Sequence, residues 1–196
     1  RPGLAGRITI PDLNTTYGPA SLFSIAKAWG GSLDDLEIGW QKLEELINSG
    51  ALLTAYRRSS EAISLFEQDE VWLCPMPSFA WPNLAALDLP IAWVRPASDY
   101  WEGMVASVNT LSVINGTPNA YWAERFIDFW LSVETQTEMA VDEVDAPANT
   151  KVELSEDLEK QFGLDEDVSK AIFYDPAFVV ANLEEWLERW NEMIAQ

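Results

Sequence analysis

The apolar residues of this 196-residue chain fall into short runs that alternate between a period of two and a period near 3.6. Gly6-Arg7-Ile8-Thr9-Ile10-Pro11-Asp12 reads as a β-branched strand that opens into a loop at its proline and acid. Asn14, Thr15 and Thr16 are cap candidates for a helix whose apolar face is Leu22, Ile25, Ala26 and Trp29, stopped by Gly30-Gly31. Ser32 with Asp35 resembles a capping box, and Leu36, Trp40, Leu43 and Ile47 stripe a second helix that ends near Gly50. Ala51 to Tyr56 is strand-like. Ser59-Ser60 caps a short helix through Phe66, and Val71 to Cys74 reads as a buried strand before the turn Pro75-Met76-Pro77-Ser78.

Ser78 to Leu87 is read as helix despite Pro82, and Ile91 to Pro96 as a strand. Met104 to Ile114 is an extended run. Pro118 then opens an amphipathic helix with Ala123, Phe126, Ile127, Trp130 and Leu131 on one face. Beyond Pro147 come a helix capped by Ser155 and ended near Gly163, an irregular stretch at Asp175-Pro176, and a last helix burying Leu183, Trp186, Leu187, Trp190 and Ile194. Strands alternating with helices predict an α/β fold with a mainly parallel sheet flanked by helices.

Charge narrows the partners. Asp and Glu number 32 against 12 Lys and Arg, a net charge of −20, which works against phosphate backbones and anionic membrane surfaces. It favours a cationic solute, with solubility or a salt-adapted surface as the plain alternative. The acid is densest from Asp142 to Gln196, where 15 acidic residues meet 4 basic ones. No apolar stretch approaches the roughly 20 residues of a membrane helix, and no charged-then-apolar leader precedes the first strand, so no direct membrane insertion is expected.

The chemistry available is limited. With no histidine, a Ser-His-Asp triad and histidine metal sites are excluded, and the single cysteine, Cys74, excludes thiolate zinc sites. Cys74 sits in an apolar run and reads as a buried, inert thiol. The carboxylate pairs Asp34-Asp35, Glu44-Glu45 and Glu184-Glu185 fall on outward helix faces, as solvated surface does. No enzyme, metal or cofactor is expected. Of ten tryptophans, Trp29, Trp40, Trp130, Trp186 and Trp190 lie on helix stripes and Trp72 and Trp93 within strands, which predicts core packing. Trp81 and Trp101 sit beside turns, where a ring could wall a ligand pocket. The turn Asn14-Thr15-Thr16-Tyr17-Gly18 offers hydroxyls and backbone donors suited to a carboxylate, or simply caps its helix.

The segment order also carries a resemblance. Pro2 to Ile10, PGLAGRITI, looks like the strand that opens the second lobe of type 2 periplasmic binding proteins. SSEAISLFEQDEVWL from Ser59 to Leu73 and LPIAWVRP from Leu89 to Pro96 resemble that family's later elements. Asn109 to Ile114 followed by Asn119 to Ser132, NAYWAERFIDFWLS, resembles its return strand and following helix. The chain thus resembles the C-terminal two-thirds of an ABC-transporter solute-binding protein, of the polyamine (spermidine/putrescine) type. Those receptors place acids just after the opening strand, whereas here Asp12 is followed by Leu13, Asn14, Thr15 and Thr16; the return strand offers Ser107 and Asn109. A zwitterion, organic acid or phosphonate is therefore the alternative ligand, and a non-catalytic scaffold domain the alternative of another class.

The resemblance implies three parts: residues 1–106 as the α/β core of lobe two, 107–146 as a crossover strand and helices belonging to lobe one, and 147–196 as C-terminal helices returning to lobe two. It implies a periplasmic or extracellular protein that captures a small-molecule solute between lobes and delivers it to ABC permease subunits. Strand ends and the crossover nominate Thr15, Thr16, Ser78, Phe79, Trp101, Ser107 and Asn109 as ligand-binding residues. Phe126, Ile127 and Trp130 would face a layer not present, so self-association is expected.

Overall fold

The structure is a computed structural model that describes residues 3–94, 98–101, 103–142, 145–162 and 171–195. It divides into two compact units, Arg1–Ser107 with Lys170–Gln196 and Val108–Ser169.

The first unit is built on a parallel layer. Strand β1 (Ile8–Pro11) pairs in parallel with β2 (Leu52–Tyr56), and on its other edge Ile8 forms a parallel bridge with Leu73. Helix α1 (Tyr17–Ala28) follows β1 and buries Leu22, Phe23 and Ala26, as the 3.6-residue spacing predicts. Helix α2 (Glu37–Asn48) begins where Asp35 Oδ1 accepts from the Glu37 N–H at 3.2 Å, and it buries Trp40 and Leu43 against α1. Gly39 makes that approach possible. A Cβ there would lie 3.0 Å from Ala26 Cβ and 3.1 Å from Leu22 Cδ1, tighter than ordinary packing allows. Helix α3 (Ser59–Glu67) follows β2, and a 3-10 turn (Ser78–Ala80) leads into the short α4 (Trp81–Ala85), with Pro82 in its first turn.

Strand β3 (Val105–Ala106) pairs in parallel with β4 (Ile172–Phe173). Helix α8 (Pro176–Ile194) closes the unit, its first turn capped by Asp175 Oδ1 accepting from the Ala177 N–H at 2.8 Å. Trp186, Trp190 and Met193 of α8 join Ile10, Leu13, Leu22, Phe23, Ala26, Leu36, Trp40 and Leu43 in one core. Phe23 meets the Trp186 ring edge-on at 5.8 Å, a favourable aromatic geometry. The second unit holds α5 (Ala120–Trp130), α6 (Val133–Val141) and α7 (Glu156–Phe162). Buried Gln136 ties it together, donating to the Trp130 carbonyl at 2.9 Å and accepting from the Ala148 N–H at 2.8 Å.

Several expectations are corrected. Trp29 is not core: it is 53% exposed, because Gly30 ends the helix beside it, and its ring carries the Lys42 ammonium at 4.4 Å. Residues 71–74 are not a buried strand. Val71 is buried, but Trp72 and Leu73 lie half exposed on an edge, where the Arg7 guanidinium stacks on Trp72 at 4.6 Å. Residues 91–94 join no ladder, and Trp93 packs instead on Trp81 at 6.0 Å; Arg95 and Pro96 lie outside the described residues, as do Glu102 and Gly163. Residues 107–114 are irregular beyond β3. Helix α5 buries none of its apolar stripe, and on α8 Met193 takes the inward place expected of Ile194. Ser59 is the first helical residue of α3, not its cap, since Arg58 holds the extended cap position.

Candidate functional site

Beginning with β1, the chain adds β2 on one edge and then residues 71–74 on the other. β1 is therefore the point where the strand order reverses, and the carboxyl ends of all three segments open on the same side, where parallel sheets leave a crevice. The loops that follow them form a cleft of about 550 Å³, a size suited to a small solute. Asn14 to Tyr17 line it after β1, Tyr56 at the end of β2 with Arg57 to Ser60 after it, and Phe79 after the third segment.

The β1 loop is held by its own polar groups. Asp12, only 6% exposed, accepts from the Asn14 N–H through Oδ1 at 2.9 Å, while its carbonyl accepts from the Thr15 hydroxyl at 2.7 Å. Thr15 Oγ1 in turn accepts from the Gly18 N–H at 3.1 Å, so this hydroxyl serves the first turn of α1. Thr16 makes no side-chain capping bond and is exposed to the cleft. Tyr17 packs its ring on Phe79 at 5.8 Å, which joins the first and third loops into one wall.

The β2 loop brings two guanidinium groups. Arg57 Nε donates to Asp12 Oδ2 at 3.4 Å, which anchors one side of that guanidinium behind the cleft wall. Arg58 is exposed and pairs with no carboxylate among the described residues. Glu61, one turn into α3, reaches back so that Oε2 accepts from the Arg57 N–H at 2.7 Å and the Arg58 N–H at 3.4 Å. This carboxylate neutralises the positive helix start and fixes the backbone of both arginines. Beneath them the Tyr56 hydroxyl donates to the Pro75 carbonyl at 2.7 Å, tying the end of β2 to the end of the third segment. Burial raises the Tyr56 phenol far above its ordinary range and pushes the neighbouring Cys74 thiol up to about 12, so both stay protonated and neutral at ordinary pH.

Of the seven residues nominated from sequence, Thr15, Thr16 and Phe79 line this cleft together. Ser78 opens the 3-10 turn next to Phe79 but is not in the lining. Trp101 closes a local turn, its N–H donating to Ser98 Oγ at 3.2 Å, and Ser107 is exposed beyond β3. Neither lines the cleft. Asn109 belongs to the second unit, where its amide donates to Asp145 Oδ2 at 2.7 Å. Sequence reasoning passed over Arg57 and Arg58. Their signal was an adjacent basic pair between a strand and a helix start, in a chain with 12 basic residues. A second hollow along α2, lined by Gln41, Glu44, Glu45, Asn48 and Ser49, is the outer surface of one helix and joins no strand ends.

Comparison with known proteins places this architecture. No curated protein compared with the chain matches it. The crystal structure of an ABC transporter from Clostridium perfringens ATCC 13124 is similar at 25% identity with a TM-score of 0.74, covering 99% of this chain and 60% of that one. A Bordetella parapertussis protein described as an extracellular solute-binding protein is similar at 18% identity and a TM-score of 0.68, covering 98% of this chain and 56% of that one. PBP AttC of Agrobacterium tumefaciens strain C58, in an open unliganded conformation, shares the fold at 18% identity and a TM-score of 0.65, with 96% and 57% covered. The chain thus spans about 60% of the length of the first of these structures. The sequence model of the bacterial extracellular solute-binding proteins matches residues 2–164, most of its length, and the chain belongs to that family.

Proposed function

We propose that this chain is the ligand-binding part of the extracellular receptor of an ABC importer, and that its cleft holds the carboxylate or other anionic group of a small polar solute for delivery to the permease. One observation carries this reading. In a chain with 32 acidic and 12 basic residues, the described residues that line the cleft include no acid and two arginines. Those guanidiniums stand beside the starts of α1 and α3, whose backbone dipoles also favour negative charge. A polyamine would need carboxylates facing it. Asp12 and Glu61, beside the cleft, accept hydrogen bonds from Asn14, Arg57 and Arg58 instead. The arginines therefore favour the organic acid, phosphonate or zwitterion alternative, with Tyr17 and Phe79 as the apolar wall. Of the residues nominated from sequence, Thr15, Thr16 and Phe79 are proposed as contacts to this solute.

Calorimetry of the chain with spermidine, glycine, lactate and methylphosphonate tests this. Heat is expected with an anionic probe and not with spermidine, and Arg58→Gln is expected to weaken that binding about tenfold or more. Spermidine binding with silent anions would restore the polyamine reading, and silence from all four probes would favour a scaffold domain.

A further inference from the structure

We infer that Asp12 and Glu61 tune this cleft to accept singly charged anions in preference to doubly charged ones. The inference rests on the reading of the cleft as an anion site. The charged side chains of the lining are Arg57 and Arg58. Bonded directly behind them are two carboxylates: Asp12, holding Arg57 Nε at 3.4 Å, and Glu61, holding the Arg57 and Arg58 N–H groups at 2.7 and 3.4 Å. Two positive and two negative groups cancel in net charge, yet they differ in what they offer a ligand. Asp12 and Glu61 accept hydrogen bonds from Asn14, Arg57 and Arg58, while the residues that line the cleft include donors: two guanidinium groups, the Thr16 and Ser60 hydroxyls and the starts of α1 and α3. The site is rich in donors and carries no surplus positive charge.

A ligand bearing one negative charge gains those donors and meets little repulsion from behind. A second negative charge adds few new hydrogen bonds and feels both carboxylates, buried Asp12 and exposed Glu61, an effect largest at low ionic strength, where exposed charges are least screened. The test uses two tetrahedral oxyanions of similar acceptor geometry and different charge, methanesulfonate (single) and sulfate (double), titrated into the chain by calorimetry at low ionic strength. Methanesulfonate is expected to bind at least as tightly as sulfate. Glu61→Gln, whose amide oxygen still accepts from the two N–H groups at an exposed position, is expected to move the affinity ratio toward sulfate by about three- to tenfold. Asp12→Asn is expected to move it the same way, and serves as a second, independent variant. Sulfate binding tenfold tighter than methanesulfonate in the parent chain, or a ratio unmoved in both variants, overturns the inference while leaving the anion reading intact. Binding of neither anion overturns the anion reading itself, and this inference with it.

Discussion

Gly18 is the position where the wall of the cleft and the stability of the fold meet. A Cβ placed on it would sit 2.4 Å from Leu13 Cα and 2.6 Å from the carbonyl oxygens of both Asp12 and Leu13. Carbon atoms pack at about 3.5–4.0 Å, so Gly18→Ala must push the start of α1 and the β1 loop apart by about 1 Å. The loop has little room to yield. Asp12 N–H donates to the Tyr56 carbonyl at 2.8 Å, the Asp12 carbonyl accepts from the Thr15 N–H at 2.9 Å, and Leu13 is buried in the core. Displacement of α1 would stretch the Gly18 N–H bonds to Thr15 O and Oγ1, now 3.2 and 3.1 Å. Overpacking of about 1–3 kcal/mol and one lost hydrogen bond of about 1 kcal/mol give an expected loss of about 2–4 kcal/mol. Against a typical stability of about 5–15 kcal/mol that is a large fraction. In urea titrations followed by tryptophan fluorescence, the midpoint should fall by about 1–2 M with the slope unchanged. The sign decides the matter, because without the clash alanine in a helix is better than glycine by up to about 1 kcal/mol. A Gly18→Ala chain as stable as its parent, or more so, would refute the close approach.

Three further outcomes are expected. Hydrogen bonding from Arg189, at 2.7 and 2.9 Å, holds the Glu37 carboxyl below its ordinary 4.5, so the stability of this pair is present above that value and lost as pH falls through the lowered one. The pair is largely exposed, so the part of the Arg189→Gln deficit that disappears on acidification should stay under about 1 kcal/mol; a deficit constant from about pH 6 to about pH 3.5 would contradict it. Cys74, its thiol pushed up to about 12 by burial, should react with a thiol reagent near pH 8 at least a hundredfold more slowly in the native chain than in urea, and rates within tenfold of each other would be incompatible with that burial. Tyr121, Trp122, Phe126 and Phe129 of α5 are between 50% and 69% exposed, so the isolated chain should self-associate through this face; sedimentation showing the parent as monomeric as a Phe126→Asp, Phe129→Asp variant would disprove it.

What the sequence determined was local. Period and cap residues placed α1, α2, α5 and α8 within a few residues, because a 3.6-residue apolar stripe and a stop at glycine act through neighbours in the chain. The same residues predicted an α/β lobe, and the order of its segments resembled solute-binding proteins before any geometry was known. Exposure was not legible. Trp29, Trp72 and the α5 aromatics share the composition of core residues, and only the packing of distant elements decides whether a partner surface reaches them. Nor was the charge of the cleft. The net −20 of the chain suggested a cationic ligand, but net charge sums over the whole surface, whereas a site answers to the few groups within several ångströms. It took β1 lying between β2 and residues 71–74 to bring Thr16, Arg58 and Phe79, far apart in sequence, to one crevice. It took the hydrogen bonds that Asp12 and Glu61 accept from the loop residues to engage those acids, while the lining keeps the arginines and hydroxyls.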